Sequence, residues 1–225
     1  TAQLIQPQVD NPRRMGKIVL YGTSIQQGGC ASRTGMVPSA MIQRDFNLEC
    51  VNLATSGQAR MDFYIAQAMA SIDDAICYVI DPVPNCTKDR CDTATYDFIN
   101  ILRTLRPEVP IVMVEGLMYP YTRHDSFHAE YLPQKNECFR RGFDQHVAEN
   151  PKGMYYMTHE GQTGPDMEGT VDGIHLTDYG FRAYADLLEI VVKEALDDTD
   201  VDYDVEPAYN VVRKKTFWER LKDLF

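Results

Sequence analysis

KIVLYGTSIQQGG, residues 17–29, decides the fold. Lys17 to Gly22 is a short apolar run rich in β-branched and aromatic side chains, and a Gly-Thr-Ser turn and a Gly-Gly pair follow it at once. A buried strand that breaks at a glycine and runs into a polar helical segment is the opening half of a βαβ unit. The unit recurs. Strand-like runs are expected at 17–22, 50–54, 76–81, 110–115 and 153–157. Segments of helical period are expected near 36–46, 61–73, 90–106, 134–149 and 178–196, with Pro107 and Pro110 marking the end of the third. Strands alternating with helices predict an α/β chain: a three-layer α/β/α sandwich on a five-stranded parallel sheet, of flavodoxin-like type.

At 225 residues the chain suits one such domain with a full core. The catalytic domain is placed at 1–196 and a tail at 197–225. The tail opens on DDTDVDYDVE (197–206), an acidic stretch with little to bury that reads as an exposed linker. It ends on KKTFWERLKDLF (214–225), where Phe217, Leu221 and Leu224 fall at helical spacing. That short amphipathic helix would need its own domain, an upstream domain or a second copy to pack on. Folded over a pocket, it would be a lid.

No apolar run approaches the ~20 residues of a membrane span. Lys and Arg number 22 against 33 Asp and Glu, a net charge of −11, which disfavours nucleic acid and anionic lipid surfaces and fits a neutral small-molecule or carbohydrate ligand. The chain begins at Thr1, with no signal-peptide pattern behind it, so a removed leader or upstream domain is the expectation. Six cysteines form no disulfide framework and leave the compartment open, with a secreted or periplasmic location favoured over a cytoplasmic one. Cys50 and Cys77 read as buried apolar residues, and Cys86 and Cys91 are close enough in sequence to pair.

In an open parallel sheet the chemistry gathers beyond the carboxyl ends of the strands. Ser24 sits there after the first strand, Gly57 after the second and Asn85 after the third. Before the last helix, VDGIHLTDYG (171–180) sets Asp172 three residues ahead of His175, so that the carboxylate can orient the imidazole. Ser24, His175 and Asp172 are then nucleophile, base and orienter. The Ser24 and Gly57 backbone N–H groups and the Asn85 amide are donors for an oxyanion. Gly116 to Tyr131 reads as an aromatic loop at a pocket mouth; Tyr119 and Tyr121 in it, and Arg60 beside the glycine segment, are the candidate substrate contacts. His124, Asp125 and His128 are read as residues of that loop rather than as metal ligands, since further ligands are not evident. Glu115 is expected to pair with Arg33 or Arg60, both read as mainly structural.

These segments resemble the motif blocks of the SGNH (GDSL-like) hydrolase superfamily. YGTSIQQGGCASRTGM (21–36) resembles the block that carries the serine, NLATSGQARMD (52–62) the glycine block, DPVPNCT (81–87) the asparagine block and DGIHLTDYG (172–180) the block with aspartate and histidine. The run GTSIxxGG followed by CASRxGM is most similar to a bacterial carbohydrate-esterase-like branch. The resemblance implies a serine ester hydrolase without cofactor or metal, acting on short acyl esters, acetyl esters first among them, of a carbohydrate alcohol. Alternatives of the same fold are a thioesterase or lysophospholipase, or a catalytically silent carbohydrate-binding relative. Two positions depart from the common pattern: Thr23 stands where Asp is usual, and the third block reads Pro-Val-Pro-Asn rather than Gly-x-Asn-Asp.

Overall fold

The computed structural model describes residues 15–197, so the expectations for the amino terminus and for the acidic and amphipathic tail lie outside the described residues. Five parallel strands, β1 (Lys17–Gly22), β2 (Glu49–Asn52), β3 (Ala75–Asp81), β4 (Ile111–Val114) and β5 (Met154–Met157), form one sheet in the order β2-β1-β3-β4-β5. The helices are α1 (Ser24–Gln27), α2 (Pro38–Phe46), α3 (Phe63–Ala70), α4 (Lys88–Leu105), α5 (Ser126–Glu149) and α6 (Asp178–Asp197). Each expected strand and long helix is present, with ends that differ by a few residues except in α5.

The central strands are apolar on both faces because both are covered. On one face Val19, Tyr21, Tyr78, Ile80 and Met113 pack with residues of α3, α4 and α5, among them Phe98 and Phe139. On the other face Ile18, Leu20, Val79 and Val112 pack with residues of α2 and α6, among them Ile42 and Phe181. Pro38 opens α2, where its missing N–H costs nothing, and Asn47 closes it in the left-handed region at φ 53°.

The sequence reading of 116–131 as one loop is corrected. α5 begins at Ser126, capped by the Asp125 side chain, which accepts from the His128 N–H. Pro133 lies inside this helix and is exposed, so water can take up the carbonyl it leaves unpaired. A proline at that position made 134 look like the first helical residue. The strand order places the switch point between β1 and β3, where their crossovers run to opposite faces, and a crevice opens there at the carboxyl edge.

Candidate active site

Ser24 is held by the turn that ends β1. Thr23 is buried, and its hydroxyl accepts from the Ile25 N–H at 3.3 Å, which caps the single turn α1. An aspartate at this position would offer the same kind of cap, so the departure at Thr23 keeps the local device. Gly28 closes the turn at φ 95°, and its N–H donates to the Ser24 and Ile25 carbonyls. Gly29 donates to the Ser24 carbonyl at 2.7 Å, and a Cβ there would sit 3.5 Å from His175 Cδ2.

His175 arrives from the far end of the chain on a short, tied loop. Thr170 and Leu176 form an isolated antiparallel bridge, and the Val171 N–H donates to the His175 carbonyl at 2.8 Å. A Cβ at Gly180 would lie 2.0 Å from the Gly169 carbonyl oxygen, so only glycine lets α6 start this close to the loop. Asp178 accepts from the Ser32 N–H at 2.9 Å and ties the start of α6 to the segment after Ser24.

Ser24 Oγ and His175 Nε2 are 2.9 Å apart, although 151 residues separate them in sequence. His175 Nδ1 lies 2.7 Å from Asp172 Oδ2. Asp172 Oδ1 accepts from the backbone N–H groups of Ile174 (2.9 Å) and His175 (2.7 Å). The hydrogen bond from His175, with these two backbone donors, holds the Asp172 carboxyl well below the usual carboxylate range. An ionised carboxylate at Nδ1 keeps the proton on that nitrogen and leaves Nε2 basic toward the serine hydroxyl.

The backbone register brings the expected oxyanion donors to the same edge. The Leu53 N–H bonds the Leu20 carbonyl and the Thr55 N–H the Gly22 carbonyl, so the Gly57 loop leaves β2 beside the Ser24 turn. Gly57 adopts φ 71°, and a Cβ there would meet nothing within 4 Å, so the glycine serves backbone conformation rather than space. Asn85 follows β3 in a 3-10 turn (Val83–Asn85), and its Oδ1 accepts from the Ala59 N–H at 3.3 Å. Its NH2 is thereby left to donate elsewhere.

Several anchors of these loops carried no signal in the sequence. Gln27 Oε1 accepts from the Ser56 N–H, and the Tyr21 hydroxyl from the Met61 N–H. Arg90 donates to the Arg60 and Met61 carbonyls and to Asp62. Arg60 itself is exposed and donates to the Gly57 carbonyl at 3.3 Å, in line with its structural reading.

Tyr119 is buried and stacks on Tyr121 with ring centroids 5.5 Å apart, so it backs Tyr121 instead of standing at the surface. Tyr121 meets the loop that carries Asp172 and His175: a Cβ at Gly173 would lie 3.3 Å from its ring. Edge contacts then link Tyr121 to His128 and His128 to Phe127, and Phe127 stacks on Tyr131. His128 Nδ1 is bonded to Asp125 at 2.6 Å, which gives the two residues a structural role at the start of α5.

Glu115 does not pair with Arg33 or Arg60. It accepts from the His159 backbone N–H at 3.0 Å and faces His159 Nδ1 at 2.7 Å, which raises the imidazole pKa. Among the described residues the one group with metal-type ligand atoms close together is Glu115, His159 and Glu160. Glu115 approaches Nδ1 of that imidazole, while Glu160 approaches Nε2 at 3.9 Å, so the carboxylates do not converge on one ring nitrogen.

The family model described as GDSL-like lipase/acylhydrolase matches residues 15–193. Among solved structures, a Bacteroides ovatus protein described as GDSL-like lipase is 31% identical, with a TM-score of 0.78 over 84% of this chain and 55% of its own. Salicylyl-acyltransferase SsfX3 from a tetracycline biosynthetic pathway is 16% identical, with a TM-score of 0.70 over 82% of this chain and 56% of that one. A family two carbohydrate esterase from Clostridium thermocellum, solved with cellohexaose, is also 16% identical, with a TM-score of 0.61 over 85% of this chain and 68% of that one. This chain thus spans little more than half the length of the first two. Among curated proteins no sequence matches.

Proposed function

The chain belongs to the GDSL-like lipase/acylhydrolase family, and on that premise we propose that it hydrolyses short-chain acyl esters, acetyl above all, of a hydrophilic alcohol such as a sugar hydroxyl. The observation that carries the reading is the 2.9 Å approach of Ser24 Oγ to a His175 ring that Asp172 holds at its other nitrogen.

In the proposed reaction Ser24 Oγ attacks the ester carbonyl carbon as His175 Nε2 takes the hydroxyl proton. The carbonyl oxygen gains negative charge and is met by the Ser24 and Gly57 N–H groups and the Asn85 NH2. The ester C–O bond breaks, His175 returns the proton to the departing alcohol, and an acyl-serine remains. His175 then takes a proton from water as it attacks the acyl carbon, and Ser24 leaves with that proton as the acid is released.

Two features support a sugar-like alcohol. The aromatic row from Tyr121 to Phe127 runs off the catalytic loop and offers ring faces of the kind that stack on sugars. The Clostridium thermocellum neighbour is a carbohydrate esterase by name. A second reading, a longer acyl group, is favoured by Val171 and Ile174, apolar side chains exposed by 59% and 38% on the catalytic loop.

Acetyl, butyryl and octanoyl esters of one alcohol separate the two readings. The expected order of kcat/KM is acetyl, butyryl, octanoyl, and the reverse order would establish the second reading. No turnover of any ester, together with no labelling of Ser24 by a fluorophosphonate, would sink both in favour of a silent binding protein.

A further inference from the structure

Beneath the Ser24 turn lies a set of buried polar side chains that the hydrolytic steps leave unused. Asp81, the last residue of β3, is fully buried and pairs in register with Gly22. Gln26, two residues past Ser24, is fully buried as well. A Cβ at Gly22 would lie 2.6 Å from Gln26 Cβ, 3.0 Å from its Cγ and 3.0 Å from the Asp81 carbonyl oxygen. The stem of Gln26 therefore crosses over Gly22, next to Asp81.

Alternation along the strands turns Gly22 and Asp81 to the same face as Leu20 and Val79, the face that α6 covers. Tyr184 of α6 donates its hydroxyl to Asp81 Oδ2 at 2.9 Å. On this face Asp81 Oδ1 and both amide atoms of Gln26 are buried without a hydrogen-bond partner among the described residues. Unmatched buried polar atoms are costly, so three on one face of the sheet call for a reason. They are complementary: a protonated Asp81 offers an O–H and the Gln26 amide an oxygen to receive it.

Resting on the hydrolase reading above, we propose that Asp81 is a positioning residue for the reaction: as the neutral acid it couples Gln26 to Tyr184 and ties the one-turn helix bearing Ser24 to the strand that delivers Asn85. Burial favours that form and pushes the Asp81 carboxyl up to about 8. The titratable groups facing it are Tyr184 from α6 and Tyr119 from the segment after β4, both held as neutral phenols by burial. Ionisation removes the O–H donor and places a negative charge under the turn, so turnover falls as the pH rises through that range. The stability sign runs the same way. With the folded pKa above the unfolded value, Asp81 is harmless below pH ~4, and its cost to stability grows as the pH rises from there through the folded pKa of about 8 and is constant beyond it.

Asp81→Asn and Asp81→Leu test this in the full chain, with Ser24→Ala as reference and melting temperature measured beside turnover. Asn keeps the shape, an acceptor for Tyr184 and a donor for Gln26, and it cannot ionise. It is expected to keep kcat at pH 7 within about threefold, to remove the alkaline limb of kcat near pH 8, and to melt higher than the unsubstituted protein at pH 8 but not at pH 4. Leu, which offers neither group, is expected to lower kcat about tenfold with KM unchanged, the scale of a slightly misplaced nucleophile. An alkaline limb that persists in Asp81→Asn, or full kcat in a folded Asp81→Leu, overturns the proposal. If Asp81→Leu does not fold, the pH profile of Asp81→Asn decides alone. Activity surviving in Ser24→Ala would instead overturn the hydrolase reading, so the two failures are distinct.

Discussion

Two Asp-x-x-His pairs in this chain make the same contacts in different settings. In Asp172/His175 and in Asp125/His128 one carboxylate oxygen faces Nδ1 of the imidazole, at 2.7 and 2.6 Å, and the other accepts from the histidine N–H, at 2.7 and 3.1 Å. The carboxyl is held low in both. What differs is the backbone beneath them. Asp172 opens an irregular turn through Gly173 at φ 88°, and the ring it orients projects across the sheet edge to Ser24. Asp125 caps a regular helix, and its histidine ring packs against Tyr121 and Phe127. An oriented imidazole is common equipment; a hydroxyl within reach of its other nitrogen is what sets one pair apart.

The largest effects should fall on the pair that meets the serine. Ser24→Ala and His175→Ala are each expected to lower kcat by about four to six powers of ten, because nucleophile and base act as one unit. Circular dichroism beside an ester assay checks that the fold survives, and an active Ser24→Ala protein would erase the contrast. Asp172→Asn should cost about three to four powers of ten, since the amide neither holds the right tautomer nor stabilises the imidazolium. A loss at Asp172 no greater than at Asp125 would show that the wrong pair has been chosen.

A step lower, Asn85→Ala is expected to reduce kcat about 100 to 1,000-fold with little change in KM, because its NH2 acts mainly on charge that develops in the transition state. A purely structural asparagine would instead lower the melting temperature and spare kcat, and both are read from one preparation.

The smallest effects belong to the second pair. Asp125→Ala should remove a helix cap, lower the melting temperature by about 2–4 °C and leave kcat within a few-fold. The pH dependence sharpens this. A carboxyl whose folded pKa is depressed stabilises the fold above the unfolded value of ~4 and loses that contribution as the pH falls through the folded pKa. Between pH 5 and pH 2 the melting temperature of Asp125→Asn should therefore fall less steeply than that of the unsubstituted chain. Equal slopes would mean that the Asp125 charge contributes nothing.

The strand cores and the long helices other than α5 were readable because their signals are local, whereas the single turn α1 is too short to show a helical period. Alternation of apolar runs with helical period needs only neighbours in the chain, and the Gly-Thr-Ser turn announces the end of β1 by composition. The start of α5 was misread for the same reason: Pro133 is a local stop signal, and an exposed proline inside a helix is tolerated only because solvent receives the orphaned carbonyl.

The amino-acid sequence by itself determined the α/β class, the three strand-end segments and the loop before the last helix that hold the candidate site, and the spacing of Asp172 to His175, since all are written in short-range pattern. Only the tertiary structure decided which histidine meets a hydroxyl, that Glu115 takes His159, that Tyr119 is buried behind Tyr121, and that Asp81 and Gln26 share one buried face. The Ser24–His175, Glu115–His159 and Asp81–Tyr184 contacts join residues tens to more than a hundred positions apart. Side-chain chemistry sets what such a residue can bond to, but sheet order and register set what lies within 3 Å of it, and no local pattern encodes that distance.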